Sequence, residues 1–276
     1  MSDEKSLKYN EPWILQRADP YVYRHTDGSY YFTASVPAYD GIVLRRAGSL
    51  AELSGAEEVM IWKKYESGPM SYHIWAPEIH YLFGKWYIYF AGGEKEDIWK
   101  IRPYVLECSG DDPLTDEWVE LGKMKRAAED EFSFEAFSLD ATVFENKGEY
   151  YYVWAEKVGV GKMISNLYIA KMESGNQLKT VQVLLTTPDY DWERKGFWVN
   201  EGPAVIHHDG KMFLTYSASE TGVDYCVGML SIDEDADILD PRLWKKERYP
   251  VLKTCEKLGI YGPGHNSFTM DEDGND

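Results

Sequence analysis

Along the chain, short runs of aromatic and β-branched residues alternate with small or polar ones, and long stretches at helical period are scarce. Four times a turn bearing a glycine leads into such a run: "HTDGSYYFTAS", "YLFGKWYIYFAG", "ENKGEYYYVWAE" and "HHDGKMFLTYSAS". A fifth begins at "MDEDGND". The turn glycines Gly28, Gly84, Gly148, Gly210 and Gly274 follow one another at spacings of 56, 64, 62 and 64 residues. Asp-Gly and its relatives make tight hairpins because glycine reaches positive φ without steric cost. A hairpin repeated every several dozen residues predicts small antiparallel sheets set as blades. The expected fold is therefore all-β, a five-bladed β-propeller forming a single domain over residues 1–276. Segments 49–59 and 125–136 are helix-compatible but short, and read as excursions between strands.

Each hairpin is preceded by a polar residue at a recurring distance. Asp19, Glu78, Asp140, Glu201 and His265 stand 9, 6, 8, 9 and 9 residues before their turn glycines. In a propeller the innermost strand of every blade starts at the same end of the central channel, so these residues are expected to converge in one funnel. Four carboxylates brought together repel one another, which makes the cluster costly and points to chemistry.

Composition narrows the choice of partner. The 276 residues are 44% hydrophobic and 15% aromatic, with 21 Tyr and 10 Trp, enough for a sizeable core. Such rings suit strand surfaces and also stack on sugar faces. A net charge of −18 argues against nucleic acid and against an anionic membrane, since either needs a basic footprint. Cys108, Cys226 and Cys255 are scattered, with neither metal spacing nor an even count for a disulfide framework. The start, "MSDEKSLKYNEPWILQRADP", has no basic residues followed by an apolar stretch, and nothing reaches the length of a membrane-spanning helix. The expectation is a cytoplasmic protein.

Carboxylates facing one another across a pocket are the equipment for glycoside hydrolysis. One, kept protonated by burial and like charge, donates to the leaving oxygen, and another, ionised, activates water or attacks the anomeric carbon. The stretches from "RADPYVY" to "GPGHNSF", with Asp, Asp and Glu in three successive contexts, resemble glycoside hydrolase family 43 over nearly the whole chain. The wording of "ADPYVYRHTDGSYYFTASVP" and "IWAPEIH" is most similar to its α-L-arabinofuranosidase branch, which acts on chain ends.

The resemblance implies a five-bladed propeller that inverts anomeric configuration. It gives Asp19 as the general base, Glu201 as the general acid and Asp140 as the carboxylate that orients the acid and tunes it. It implies that Trp75 and Glu78 line the sugar pocket. It also makes His265 a candidate for holding a structural calcium ion or its water; no organic cofactor is expected. The substrate it implies is an arabinose- or xylose-containing oligosaccharide. The alternatives are a β-xylosidase or endo-arabinanase on the same scaffold, and a carbohydrate-binding propeller without activity. Family members carry further strands beyond the point matching "FTMDEDGND", so the last blade is expected to be incomplete here.

Overall fold

A computed structural model describes residue 12, residues 14–160 and residues 162–276. The first eleven residues, on which most of the reading of the N-terminus rests, lie outside the described residues. Strands β1 (Ala18–Arg24), β2 (Tyr30–Ser35), β3 (Gly41–Ala47) and β4 (Val59–Lys63) form an antiparallel sheet in that order. A second follows the same plan with β5 (Tyr72–Leu82), β6 (Lys85–Glu94), β7 (Asp97–Cys108) and β8 (Val119–Lys123). The third joins two hairpin units. The first comprises β9 (Ser138–Asn146), β10 (Glu149–Val160) and β11 (Lys162–Ser174), with β12 (Gln177–Leu178) and β13 (Val183–Thr186) added to β11. The second comprises β14 (Trp198–His208), β15 (Lys211–Ala218), β16 (Cys226–Asp233) and β17 (Lys245–Lys246). A two-residue parallel ladder links β11 to β14, pairing Ile164 with Trp198 and Ser165 with Val199.

The protein is all-β. Gly28, Gly84, Gly148 and Gly210 carry φ of 88°, 74°, 77° and 72°, the left-handed turns that the hairpins demand. Of the two helix-compatible segments, 49–59 yields one 3-10 turn at Ala51–Ser54. Segment 125–136 forms no helix, because Asp130 accepts from the backbone N–H of Phe132 and Ser133 and from the Ser133 hydroxyl, tying a loop instead.

The aromatic load goes chiefly into the core. β2 is buried at every position, so its alternation is not an inside–outside pattern; both faces are covered. Tyr31, Ile42 and Leu44 of the first sheet pack with Ile79, Trp86 and Ile88 of the second. Tyr87, Tyr89 and Val105 of the second pack in turn with Tyr152, Trp154 and Tyr168 of the third. The last described segment returns to the first sheet. Ser267 Oγ donates to Pro20 O at 2.8 Å, the Arg24 guanidinium to Asp271 O at 2.8 Å, and the Tyr30 hydroxyl to Met270 O at 3.0 Å.

One local irregularity recurs with the period of the hairpins. Asp19, Ala76, Asp140, Gly202 and His265 have φ of 53°, 46°, 50°, 53° and 46°. The strand register slips at or beside the first four: in β1 after Ala18, in β5 around Trp75, across from Val153 in β9, and in β14 after Glu201. These are β-bulges, which re-aim side chains at the ends of strands. Proline follows the bulged residue at Pro20, Pro77 and Pro203, and disfavours right-handed helical backbone in the residue before it.

Candidate active site

The bulges bring their residues to one place. Asp19, Asp140, Glu201, His265 and Trp75 all line a cavity of about 680 Å³. Glu78 does not line it. The bulge of β5 falls at Ala76, so Glu78 sits two residues further along the strand, buried, with its carboxylate 2.9 Å from His80 Nε2. In β14 the bulged residue is Gly202, and Glu201 occupies the slot held elsewhere by Ala18, Trp75, Leu139 and Gly264.

The backbone N–H of each of three bulges is satisfied by a side chain of the preceding repeat. The Ser35 hydroxyl accepts from Ala76 N at 2.8 Å and donates to Asp19 Oδ2 at 2.5 Å. Asp140 Oδ2 accepts from Gly202 N at 3.2 Å, and Ser217 Oγ from His265 N at 2.6 Å. Ser35 and Ser217 hold matching positions near the ends of "YYFTAS" and "KMFLTYSA", paired with Ala18 and Glu201. Sequence reasoning passed over both. Their signal was a small hydroxyl residue recurring in the hairpin, which only the bulge register makes legible.

His265 Nδ1 lies 3.1 Å from Asp19 Oδ1 and 3.8 Å from Asp140 Oδ2. Burial lowers its pKa, but Asp19, Asp140, Glu201 and Glu78 together outweigh this and raise it to about 9, so it stands as a cation between the carboxylates. Burial pushes Asp140 up to about 8, against the pull of His265 and with the repulsion of Glu201 and Asp19. Glu201 is also raised, first by burial and then by Asp19. It is held back by the Tyr225 hydroxyl, which donates to its Oε1 at 2.9 Å, and by the charges of His265 and Lys157. Gly264 has no Cβ where one would meet the Tyr225 ring at 2.2 Å, so this approach depends on glycine. The Asp140–Glu201 pair therefore retains a proton near neutrality beside a third carboxylate, Asp19, that is more exposed than Asp140.

Around the carboxylates stand aromatic walls. Trp75 packs between His73, at 4.1 Å between ring centroids, and Tyr39, at 5.7 Å edge-on. Trp99 and Phe197, 60% and 62% exposed, stand at the mouth. Tyr225, Phe137 and Lys157 complete the wall and carried no motif in the sequence.

A calcium ion at His265 is not supported by the donor set. Among the described residues no three His, Cys, Asp or Glu side chains converge as a metal site, and His265 Nδ1 faces Asp19. Calcium takes six to eight oxygens, which these side chains do not supply as a cage. No helix among the described residues is long and apolar enough to cross a membrane.

The family model described as "Glycosyl hydrolases family 43" matches residues 9–276. An "Extracellular exo-alpha-(1->5)-L-arabinofuranosidase" of Streptomyces avermitilis is 49% identical over 98% of this chain and 55% of its own length. A protein of the same description from Streptomyces chartreusis is 47% identical over 96% of this chain and 79% of its own. The chain thus spans about half the length of the first relative. The crystal structure of an α-L-arabinofuranosidase from Lactobacillus brevis, 51% identical, superposes with a TM-score of 0.89, covering 97% of this chain and 83% of that one.

The cytoplasmic expectation is corrected by these relatives, two of which are named extracellular. Its physical basis was weak. Cys108 and Cys226 are buried and free, but a core of this size needs no disulfide staples, so their absence does not report a reducing compartment.

Proposed function

The chain belongs to glycosyl hydrolases family 43, and from that premise we propose that it is an inverting, exo-acting hydrolase releasing terminal α-L-arabinofuranosyl units from arabino-oligosaccharides outside the cell. The observation that carries the reading is the meeting of Asp19, Asp140 and Glu201 in one cavity, with a proton retained on the Asp140–Glu201 pair and Asp19 more exposed than Asp140.

In this reading Asp19 takes a proton from a water molecule as its oxygen attacks the anomeric carbon. The glycosidic C–O bond breaks on the opposite face, and Glu201 gives its proton to the departing oxygen. Attack and departure on opposite faces invert the configuration. The products are arabinose and a shortened chain, and exchange with solvent returns the proton from Asp19 and restores one to Glu201. Asp140, hydrogen-bonded to Gly202 N beside the acid, fixes the backbone that carries Glu201 and keeps a proton in reach. Ser35 and His265 hold Asp19 from two sides. The chain is read as one domain, a five-bladed propeller. The recurring bulges at 19, 76, 140, 202 and 265 and the return of the last segment to the first sheet support that reading.

Hydrolysis of p-nitrophenyl α-L-arabinofuranoside, run beside the β-D-xyloside, tests it. The arabinoside is expected to be preferred, and Asp19→Ala to lose about 10²- to 10⁴-fold in kcat. Glu201→Ala should lose less with this leaving group, which needs little protonation, and regain its full deficit on an oligosaccharide. Preference for the xyloside, or equal losses in the two variants on the aryl substrate, would overturn the assignment.

A further inference from the structure

We propose that Lys157 binds substrate on the leaving-group side of the cavity, its ammonium donating hydrogen bonds to the oxygens of the sugar that departs; the inference rests on the function read above. Two strongly basic side chains line the cavity, Arg17 and Lys157. Arg17 is committed: its guanidinium holds Glu58 through two hydrogen bonds, of 3.2 and 2.6 Å. Among the described residues Lys157 Nζ meets no carboxylate or carbonyl at hydrogen-bonding distance, and it rests 3.9 Å from the centroid of the Phe137 ring.

Its place relative to the carboxylates gives the side. Lys157 of β10 pairs with Ser165 of β11, which pairs in turn with Val199 of β14, two residues before Glu201, whereas Asp19 belongs to β1 of another sheet. Glu201 is also the carboxylate whose charge holds the Lys157 ammonium up. Glu201 delivers its proton to the departing oxygen, so a cation carried beside the Glu201 strand and lining the same cavity stands where the departing sugar lies. Burial pushes the Lys157 ammonium down, a cost that no protein acceptor offsets. Sugar hydroxyl and ring oxygens are acceptors of the needed kind, and the Phe137 face fixes the ammonium without using any of its three N–H donors.

Lys157→Met keeps an unbranched stem over Phe137 and removes the donors. Its kcat/KM is compared with that of the parent on α-(1→5)-linked arabinotriose and on p-nitrophenyl α-L-arabinofuranoside, whose leaving group carries no sugar hydroxyls. The triose should lose about 10- to 100-fold, mostly through KM, with the aryl glycoside losing at least tenfold less. Lys157→Arg should recover part of the triose activity. A general structural role would lower both substrates alike, and equal losses overturn the inference. So does a triose rate that Lys157→Met leaves at the parental level. A parent that hydrolyses neither substrate overturns the proposed function, and the inference with it, before any Lys157 variant is made.

Discussion

Burial raises the pKa of Asp140 to about 8, although the His265 cation beside it works the other way. A folded-state value above the ordinary carboxylate value means that the folded protein holds this proton more tightly than the unfolded chain. The corresponding stability is complete below about pH 4 and is lost as the pH climbs toward 8. Asp140→Asn removes the charge and keeps an oxygen to accept from Gly202 N. It should therefore be more stable than the parent at pH 7, by at least about 1 kcal/mol or some 2–4 °C in Tm. The gain should shrink toward pH 4, and hydrolysis should be impaired throughout. Thermal melts at the two pH values decide it; a variant that is less stable at pH 7 would show that the His265 contact dominates. A site residue that is expendable for folding and costly to it is what a functional cluster leads one to expect.

At the scale of the element, the bulge decides what the sequence could and could not tell. The hairpins were legible because Gly28, Gly84, Gly148 and Gly210 occupy turns that only glycine takes easily. The three carboxylates were legible because Asp19, Asp140 and Glu201 stand near the mouths of those strands. The register was not legible. A bulge sets two residues opposite one and breaks the period of two, so counting back to the nearest charge chose Glu78 where Ala76 holds the position. Tyr225 and Lys157 reach the cavity from a loop and a second strand, with nothing local to mark them. Gly202 shows how tightly the element is drawn. A Cβ there would meet His265 Cγ at 3.1 Å while the backbone stays left-handed at φ 53°. Gly202→Ala is expected to destabilise by about 1–2 kcal/mol, some 2–8 °C in Tm, and to cut kcat by moving His265 off Asp19. Wild-type turnover in that variant would show that the His265–Asp19 contact is dispensable.

For the whole molecule, a net charge of −18 sets a background of self-repulsion that acts at the range of the Debye length. Raising ionic strength from about 10 mM to about 150 mM shortens that length from roughly 30 to 8 Å, and Tm should rise with it. A fall instead would mean that local pairs such as Arg17–Glu58 outweigh the net field. The seam between the last segment and the first sheet has a different consequence, one for the order of folding. Its hydrogen bonds join residues separated by 240 and 247 positions, whereas each hairpin closes within a few. Long loops are slow to close and their contacts come last, so the hairpins are expected to form early and the seam to lock at the end. Asp19 and His265 lie on opposite sides of that seam, 3.1 Å apart. The two halves of the cavity therefore meet only when the chain has finished folding, and the return of hydrolysis after dilution from denaturant would time that final step.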